Sequence, residues 1–207
     1  MYKKYFKRLL DIILSLTAII ILLPILLILS ILVLIFLGKP IFFKQVRIGK
    51  NEQKFNMYKF RTMTNKTDKK GKLLPDDKRL TRFGKFLRKT SLDELPEFFN
   101  ILTGKMSFIG PRPLVVSYLP YYTEEERHRH DILPGLTGWA QVNGRNELQW
   151  EERFKLDLEY VNNVSLKFDL KIICLTVKKV ICANNITTRG TGKVIDFDKY
   201  RKNQNKK

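Results

Sequence analysis

An α+β fold is predicted for this chain: a membrane-embedded N-terminal helix, amphipathic interfacial helices and a small β-hairpin, packed as one membrane-associated domain. Three observations carry the expectation. The N-terminal region holds a long uncharged apolar run; two β-branched and aromatic stretches flank a turn signature; several later segments space apolar and basic residues at helical intervals.

From Ile12 to Leu37, 22 of 26 residues are apolar and none is charged. At a rise of about 1.5 Å per residue the run reaches about 39 Å, more than the ~30 Å hydrocarbon core. Pro24 divides it into halves of about 18 and 21 Å, neither of which crosses the core alone. Lys3, Lys4, Lys7 and Arg8 precede the run, and Lys39, Lys44, Arg47 and Lys50 follow it, so the positive-inside rule assigns both ends to the cytoplasm. A re-entrant helix that dips into one leaflet, breaks at Pro24 and returns accounts for both features. An ordinary span with a proline kink is the alternative, and the sequence leaves the two open. The run closes on Gly38-Lys39-Pro40 without a small-residue cleavage site, unlike a removable signal peptide. Residues 1–39 are therefore read as one membrane segment.

Residues 40–183 read as a single domain laid against the membrane. Ile41 to Val46 and Phe55 to Phe60, separated by Gly49-Lys50-Asn51-Glu52, predict a hairpin. Thr64 to Leu80, rich in Lys and Asp with Gly71 and Pro75, predicts an exposed loop. Thr81 to Lys89 sets Phe83, Phe86 and Leu87 against Arg82, Lys85, Arg88 and Lys89, the pattern of a short basic amphipathic helix, either seated at an anionic leaflet or solvated on the surface. Further helices are predicted over Thr123 to Asp131, Glu152 to Val161 and Leu170 to Ile181. From 184 to 207 the chain is polar and basic, and a loosely held tail is expected.

With 39 Lys+Arg against 20 Asp+Glu the net charge is +19, which calls for an anionic partner: nucleic acid, anionic lipid or a phosphorylated substrate. Two cysteines exclude a disulfide-dense scaffold; Cys174 and Cys182 read as small buried hydrophobes in a reducing compartment. His128 and His130, two apart on a helix, point to different faces, do not form a metal pair and are expected to be exposed helix residues.

Ser91-Leu92-Asp93-Glu94-Leu95-Pro96-Glu97 is the most informative short segment. Ser91 and Glu94 have capping-box spacing, and on that reading both acids simply complement a helix N-terminus; Pro96, which would then fall inside the helix, argues in part against it. With Pro96 at the first helical position, Asp93 and Glu94 occupy the preceding turn. Two adjacent carboxylates following Arg88-Lys89 suit a phosphate-bearing substrate, one acid holding a divalent metal and the other acting on phosphorus. Gly110-Pro111-Arg112-Pro113 fixes Arg112 between two residues of locked φ, either as a phosphate grip or as a surface arginine in a turn. Gly138 to Asn146, with Gln141 and Arg145, is either a base or sugar contact or a tight turn.

Taken together, the Pro-broken apolar run, Phe43-Lys44-Gln45-Val46-Arg47-Ile48-Gly49, Tyr58-Lys59-Phe60-Arg61-Thr62-Met63, Ser91 to Pro96, Ser107 to Pro113 and Pro134-Gly135-Leu136-Thr137-Gly138-Trp139 closely resemble the bacterial sugar transferases, small monotopic polyprenyl-phosphate phosphoglycosyl transferases. The resemblance implies transfer of a phospho-sugar from a UDP-sugar to polyprenyl (undecaprenyl) phosphate with release of UMP, by a ping-pong route, at the cytoplasmic face of the bacterial inner membrane. It implies Asp93 as nucleophile, Glu94 as ligand of a Mg²⁺ cofactor, and functional positions at Lys59, Arg88, Arg112 and Asp157, with Gln141 and Arg145 contacting nucleotide or sugar. Anionic lipids are implied partners and nucleic acid is not, since acids lie beside the cations where a polyanion groove would avoid them. The alternative is a membrane-tethered basic binding protein without catalysis. One position departs from the pattern: many members carry Ser before the helix-breaking proline, and here the pair is Leu23-Pro24.

Overall fold

The computed structural model describes residues 1–144, 148–181 and 195–204. A single π-helical turn, Tyr2–Phe6, runs into α1 (Lys7–Leu37). Pro24 lies inside α1, and the helix stays continuous through it rather than breaking there. A proline removes one backbone hydrogen bond, and the apolar turns on either side keep theirs. α1 ends at Gly38, whose φ of 73° suits glycine. Arg61 closes that end by donating to the carbonyls of Lys39 at 2.8 Å, Gly38 at 2.6 Å and Leu37.

The expected hairpin forms from β1 (Phe42–Ile48) and β2 (Lys54–Phe60), antiparallel with Phe42 opposite Phe60 and Ile48 opposite Lys54. Alternation along β2 assigns its faces. Phe55 and Met57 pack with Ile101 and Met106, while Phe60 joins Leu26, Leu29, Val33 and Leu87. After a loop containing the one-turn helix α2 (Asp76–Arg79), the amphipathic helix α3 (Arg82–Thr90) starts on a Thr81 cap. Gly84 is required in α3, since a Cβ there would lie 1.8 Å from the Thr62 carbonyl oxygen. Phe83 meets Phe36 near the end of α1, with ring centroids 5.0 Å apart.

A 3₁₀ turn over Leu92–Glu94 leads to α4 (Glu97–Leu102). The short strands β3 (Ser107–Ile109) and β4 (Gly135–Thr137) pair in parallel. Their backbones approach so closely that a Cβ on Gly135 would lie 2.1 Å from the Gly110 nitrogen. Between them, α5 (Glu124–Arg127) carries a complete capping box from Thr123 to Glu126 and continues as a 3₁₀ turn over His128–His130. The chain closes with α6 (Trp139–Asn143), α7 (Trp150–Asn162), α8 (Leu166–Ile181) and α9 (Phe197–Gln204).

Three expectations are corrected. Residues 197–204 are a helix and not part of a loose tail, because Phe197 is wholly buried with Ile48, Leu114, Tyr118, Tyr122, Trp150 and Phe154. His130 is buried and edge-on to Tyr122, since the change from α to 3₁₀ winding at His128 turns it inward. Cys174 is exposed, on the side of α8 that also exposes Leu170 and Val177, whereas Asp169 and Ile172 are buried. Cys182 lies outside the described residues.

Candidate active site

Hydrogen bonds between separate elements assemble the site. Asn100 of α4 accepts from the Tyr58 backbone N–H at 3.0 Å and donates to the Asn56 carbonyl at 2.7 Å, which fixes α4 along β2. Lys59, on the same face of β2 as Met57, then reaches the start of α4. Its ammonium lies 2.5 Å from Glu94 Oε1 and 3.0 Å from Glu97 Oε1. Arg112, between Pro111 and Pro113 just after β3, places Nη2 2.6 Å from the same Glu94 oxygen. Arg88, in the last turn of α3, donates Nε to Thr62 Oγ1 at 3.0 Å.

Ser91 has φ 57° and closes α3, but its side chain caps nothing. No capping box forms there, and Pro96 stands at the cap of α4. Asp93 and Glu94 therefore occupy the turn just before the helix.

The three acids of this segment differ in commitment. Burial alone would raise Glu94, but Arg112 and Lys59 together outweigh it and hold its carboxyl well below the usual range. Glu97 is pushed up to about 7 by burial, which the shared Lys59 offsets only partly. Asp93 is pushed up to about 6, again chiefly by burial, with Lys59 opposing and Glu94 adding. Asp93 is only 8% exposed, yet among the described residues it enters no ion pair and no side-chain hydrogen bond. A buried, uncommitted carboxylate faced by Lys59, Arg88 and Arg112 can approach an anionic phosphorus once those cations have neutralised it.

The other expected residues are placed less directly. Asp157, on α7, stands behind the site: it is 3% exposed and accepts from Arg129 Nε at 3.1 Å and Nη2 at 2.8 Å. Arg129 Nη2 also donates to the Arg112 carbonyl at 2.8 Å. Asp157 is thus tied to the site through Arg129 and the Arg112 backbone, not by contact of its own with a substrate. Gln141 donates to the Leu136 carbonyl at 2.9 Å, and its Oε1 is buried without a partner among the described residues, on the groove shared with Asp93. Arg145 lies outside the described residues.

Glu97 and Arg129 were not assigned from sequence. For Glu97 a signal existed, three residues beyond Glu94 and past the helix-starting proline; for Arg129, between two histidines on a charged segment, none did. Two carboxylates fit magnesium, which commonly takes one or two from protein and completes its shell with substrate phosphate and water. Asp93 is unengaged, and both ion pairs of Glu94 fall on Oε1.

Residues 2–183 match the family described as Bacterial sugar transferase. The chain is 55% identical over 150 residues to the uncharacterized sugar transferase EpsL of Bacillus subtilis (strain 168), covering 72% of this chain and 74% of that protein. It is 45% identical over 184 residues to the UDP-glucose:undecaprenyl-phosphate glucose-1-phosphate transferase of Klebsiella pneumoniae, covering 84% of this chain and 40% of that protein. To the galactosyl transferase CpsE of Streptococcus agalactiae serotype III (strain NEM316) it is 42% identical over 158 residues, 70% of this chain and 35% of that protein. The chain therefore matches well under half the length of these last two relatives.

Proposed function

This chain belongs to the bacterial sugar transferase family, and from that premise we propose that it transfers a sugar-1-phosphate from a UDP-sugar to undecaprenyl phosphate, releasing UMP, in the assembly of a surface glycan. The observation that carries the mechanism is the uncommitted Asp93 beside the committed Glu94 and Glu97. An Asp93 oxygen attacks the phosphorus bearing the sugar; the new O–P bond forms as the bond to the UMP oxygen breaks, and UMP leaves with that electron pair. Lys59, Arg88 and Arg112 bind and neutralise the diphosphate during this step. A phosphate oxygen of the polyprenyl acceptor then attacks the same phosphorus and restores the Asp93 carboxylate. Glu94, with Asp93 adjacent, would hold Mg²⁺, which when bound adds further neutralisation of the diphosphate. Gln141 Oε1 is an open acceptor for a donor group of the nucleotide or sugar.

Contacts that α1 makes near both of its ends support a re-entrant, one-sided path in the membrane. Near its start, Arg8 donates to the carbonyls of Ile101 and Leu102 at the end of α4, at 2.6 and 2.8 Å, and Asp11 accepts from Ser107 Oγ and the Phe108 N–H at 3.0 Å each. Near its end, Val33 packs with Phe60 and Leu87. A straight helix separates Asp11 from Val33 by about 33 Å. In a span these residues would lie on opposite sides of the bilayer, where a single domain could not reach both. The cytoplasmic face of the inner membrane is part of the same reading.

The test is UMP release from radiolabelled or unlabelled UDP-sugars with Mg²⁺ in detergent, with and without undecaprenyl phosphate. Donor alone should give a burst of UMP near one equivalent and a covalently labelled protein that Asp93→Asn lacks. Strict dependence of the first UMP on acceptor would reject the covalent route, and silence across a broad donor panel would reject the transfer itself.

A further inference from the structure

The end of the chain supplies a wall of the same groove. Phe197 is wholly buried among Tyr118, Tyr122, Trp150 and Phe154, with ring centroids 5.0 to 5.5 Å away. Trp150 Nε1 donates to the Ile195 carbonyl at 2.9 Å, and the Tyr118 hydroxyl donates to Asp196 Oδ1 at 3.2 Å. Along α9 the Tyr200 hydroxyl donates to Glu151 at 2.7 Å and Arg201 pairs with Glu126. So held, Asp196, Asp198 and Lys199 line a continuous groove of about 2340 Å³ whose other walls carry Asp93, Glu94 and Arg112. Helix α7 gives the scale. Asp157, tied to the Arg112 backbone, and Trp150, bonded to Ile195, are seven residues apart, about 10 Å along the axis. Both walls of the groove are thus anchored on one helix.

We propose that Asp196, Asp198 and Lys199 select the sugar of the donor by bonding its ring hydroxyls; this rests on the transfer reading above. Two observations point to the sugar and not the nucleotide. The segment lies beyond residues 2–183, the part matched to the family, and relatives of this chain are named for different sugars, glucose and galactose. A wall outside the shared region fits the moiety that differs among them. The side chains also suit hydroxyls, which donate to a carboxylate and accept from an ammonium, whereas two carboxylates would repel a nucleotide phosphate.

The test uses the full chain with Asp196→Ala, Asp198→Ala and Lys199→Ala combined, all at exposed or half-buried positions. kcat/KM is measured for UDP-glucose, UDP-galactose and their 2-acetamido counterparts, with inhibition by UMP as the nucleotide control. The preference between best and worst donor should shrink by about tenfold or more, since a site built around a hydroxyl discriminates strongly, while UMP inhibition stays unchanged. Unaltered donor ratios, an equal loss for all donors, or weakened UMP inhibition would overturn the proposal. A second measurement is independent of turnover: amide exchange at 196–204 in the unmodified protein should slow with UDP-glucose or UDP-galactose but not with UMP. Equal protection by UMP, or none by any donor, overturns it as well. Protection by a UDP-sugar without any UMP release would instead reject the transfer reading and leave the sugar contact standing.

Discussion

Asp93 and Asp157 are both buried aspartates within one groove system, at 8% and 3% exposure, yet their surroundings differ. Asp157 accepts twice on Oδ2 from Arg129, whose guanidinium also lies over the rings of Tyr122 and Phe154. Asp93 has cations around it but, among the described residues, none in contact; burial raises the pKa of both aspartates, so the difference between them lies in their partners. Burial of a carboxylate therefore does not mark it for chemistry. On the proposed reading, lack of a committed partner does, because a matched ion pair spends its lone pairs on the fold.

The largest effect that would sharpen this contrast is on turnover. Asp93→Asn should lower it by at least about 10³-fold, as expected for a missing nucleophile. Its melting temperature at pH 7.5 should hold or rise, since a poorly solvated charge is removed. A clear loss of stability would show that Asp93 is structurally paired after all. Asp157→Asn should do the reverse in kind, costing about 3 kcal/mol in urea unfolding because Arg129 is left buried without its counter-charge. Retention of full stability would break the comparison.

A third, smaller effect is on pH dependence. On the proposed route Asp93 must be ionised to attack, and its folded pKa of about 6 places an acidic limb in kcat/KM near that value. Lys59 opposes the rise, so Lys59→Met should move the limb to higher pH as well as weaken the donor. A limb that stays in place would detach Asp93 from Lys59. The smallest effect concerns His130, held down to about 3 by burial first and by Arg129 and Arg127 after it. As pH falls below about 6.5 the unfolded chain takes a proton that the folded chain refuses, so stability is lost towards pH 3, by at most about 1.4 kcal/mol per pH unit. Between pH 7.5 and 5.5, wild type should therefore lose more melting temperature than His130→Gln; Asp93 and Glu97 titrate alike in both proteins. Parallel losses would contradict the buried neutral imidazole.

What was legible in the sequence was local. Alternation in residues 41–60 predicts the hairpin and spacing in 81–89 predicts α3, since each is set by neighbours a few residues apart. Asp93, Glu94, Lys59 and Arg112 stand in short motifs, and the fold brings them into one cluster. Pairings made across the chain carry no local signature: Arg8 with Ile101, Asp11 with Ser107, Arg129 with Asp157 and Phe197 with Trp150. Cys174 shows a different limit. Periodicity shows that α8 is amphipathic, but in a protein beside lipid the apolar side need not be the inner one.

The contacts of Arg8 and Asp11 have a practical consequence for anyone making this protein. The carbonyls that end α4 and the first groups of β3 find their partners on the hydrophobic helix, so that helix completes the very elements that begin with Glu97 and lead to Arg112. Cutting the chain at Lys39 to obtain a water-soluble enzyme would bare those groups to solvent and loosen both arms of the site. Detergent or nanodisc preparations of the whole chain are the form in which its chemistry should be measured.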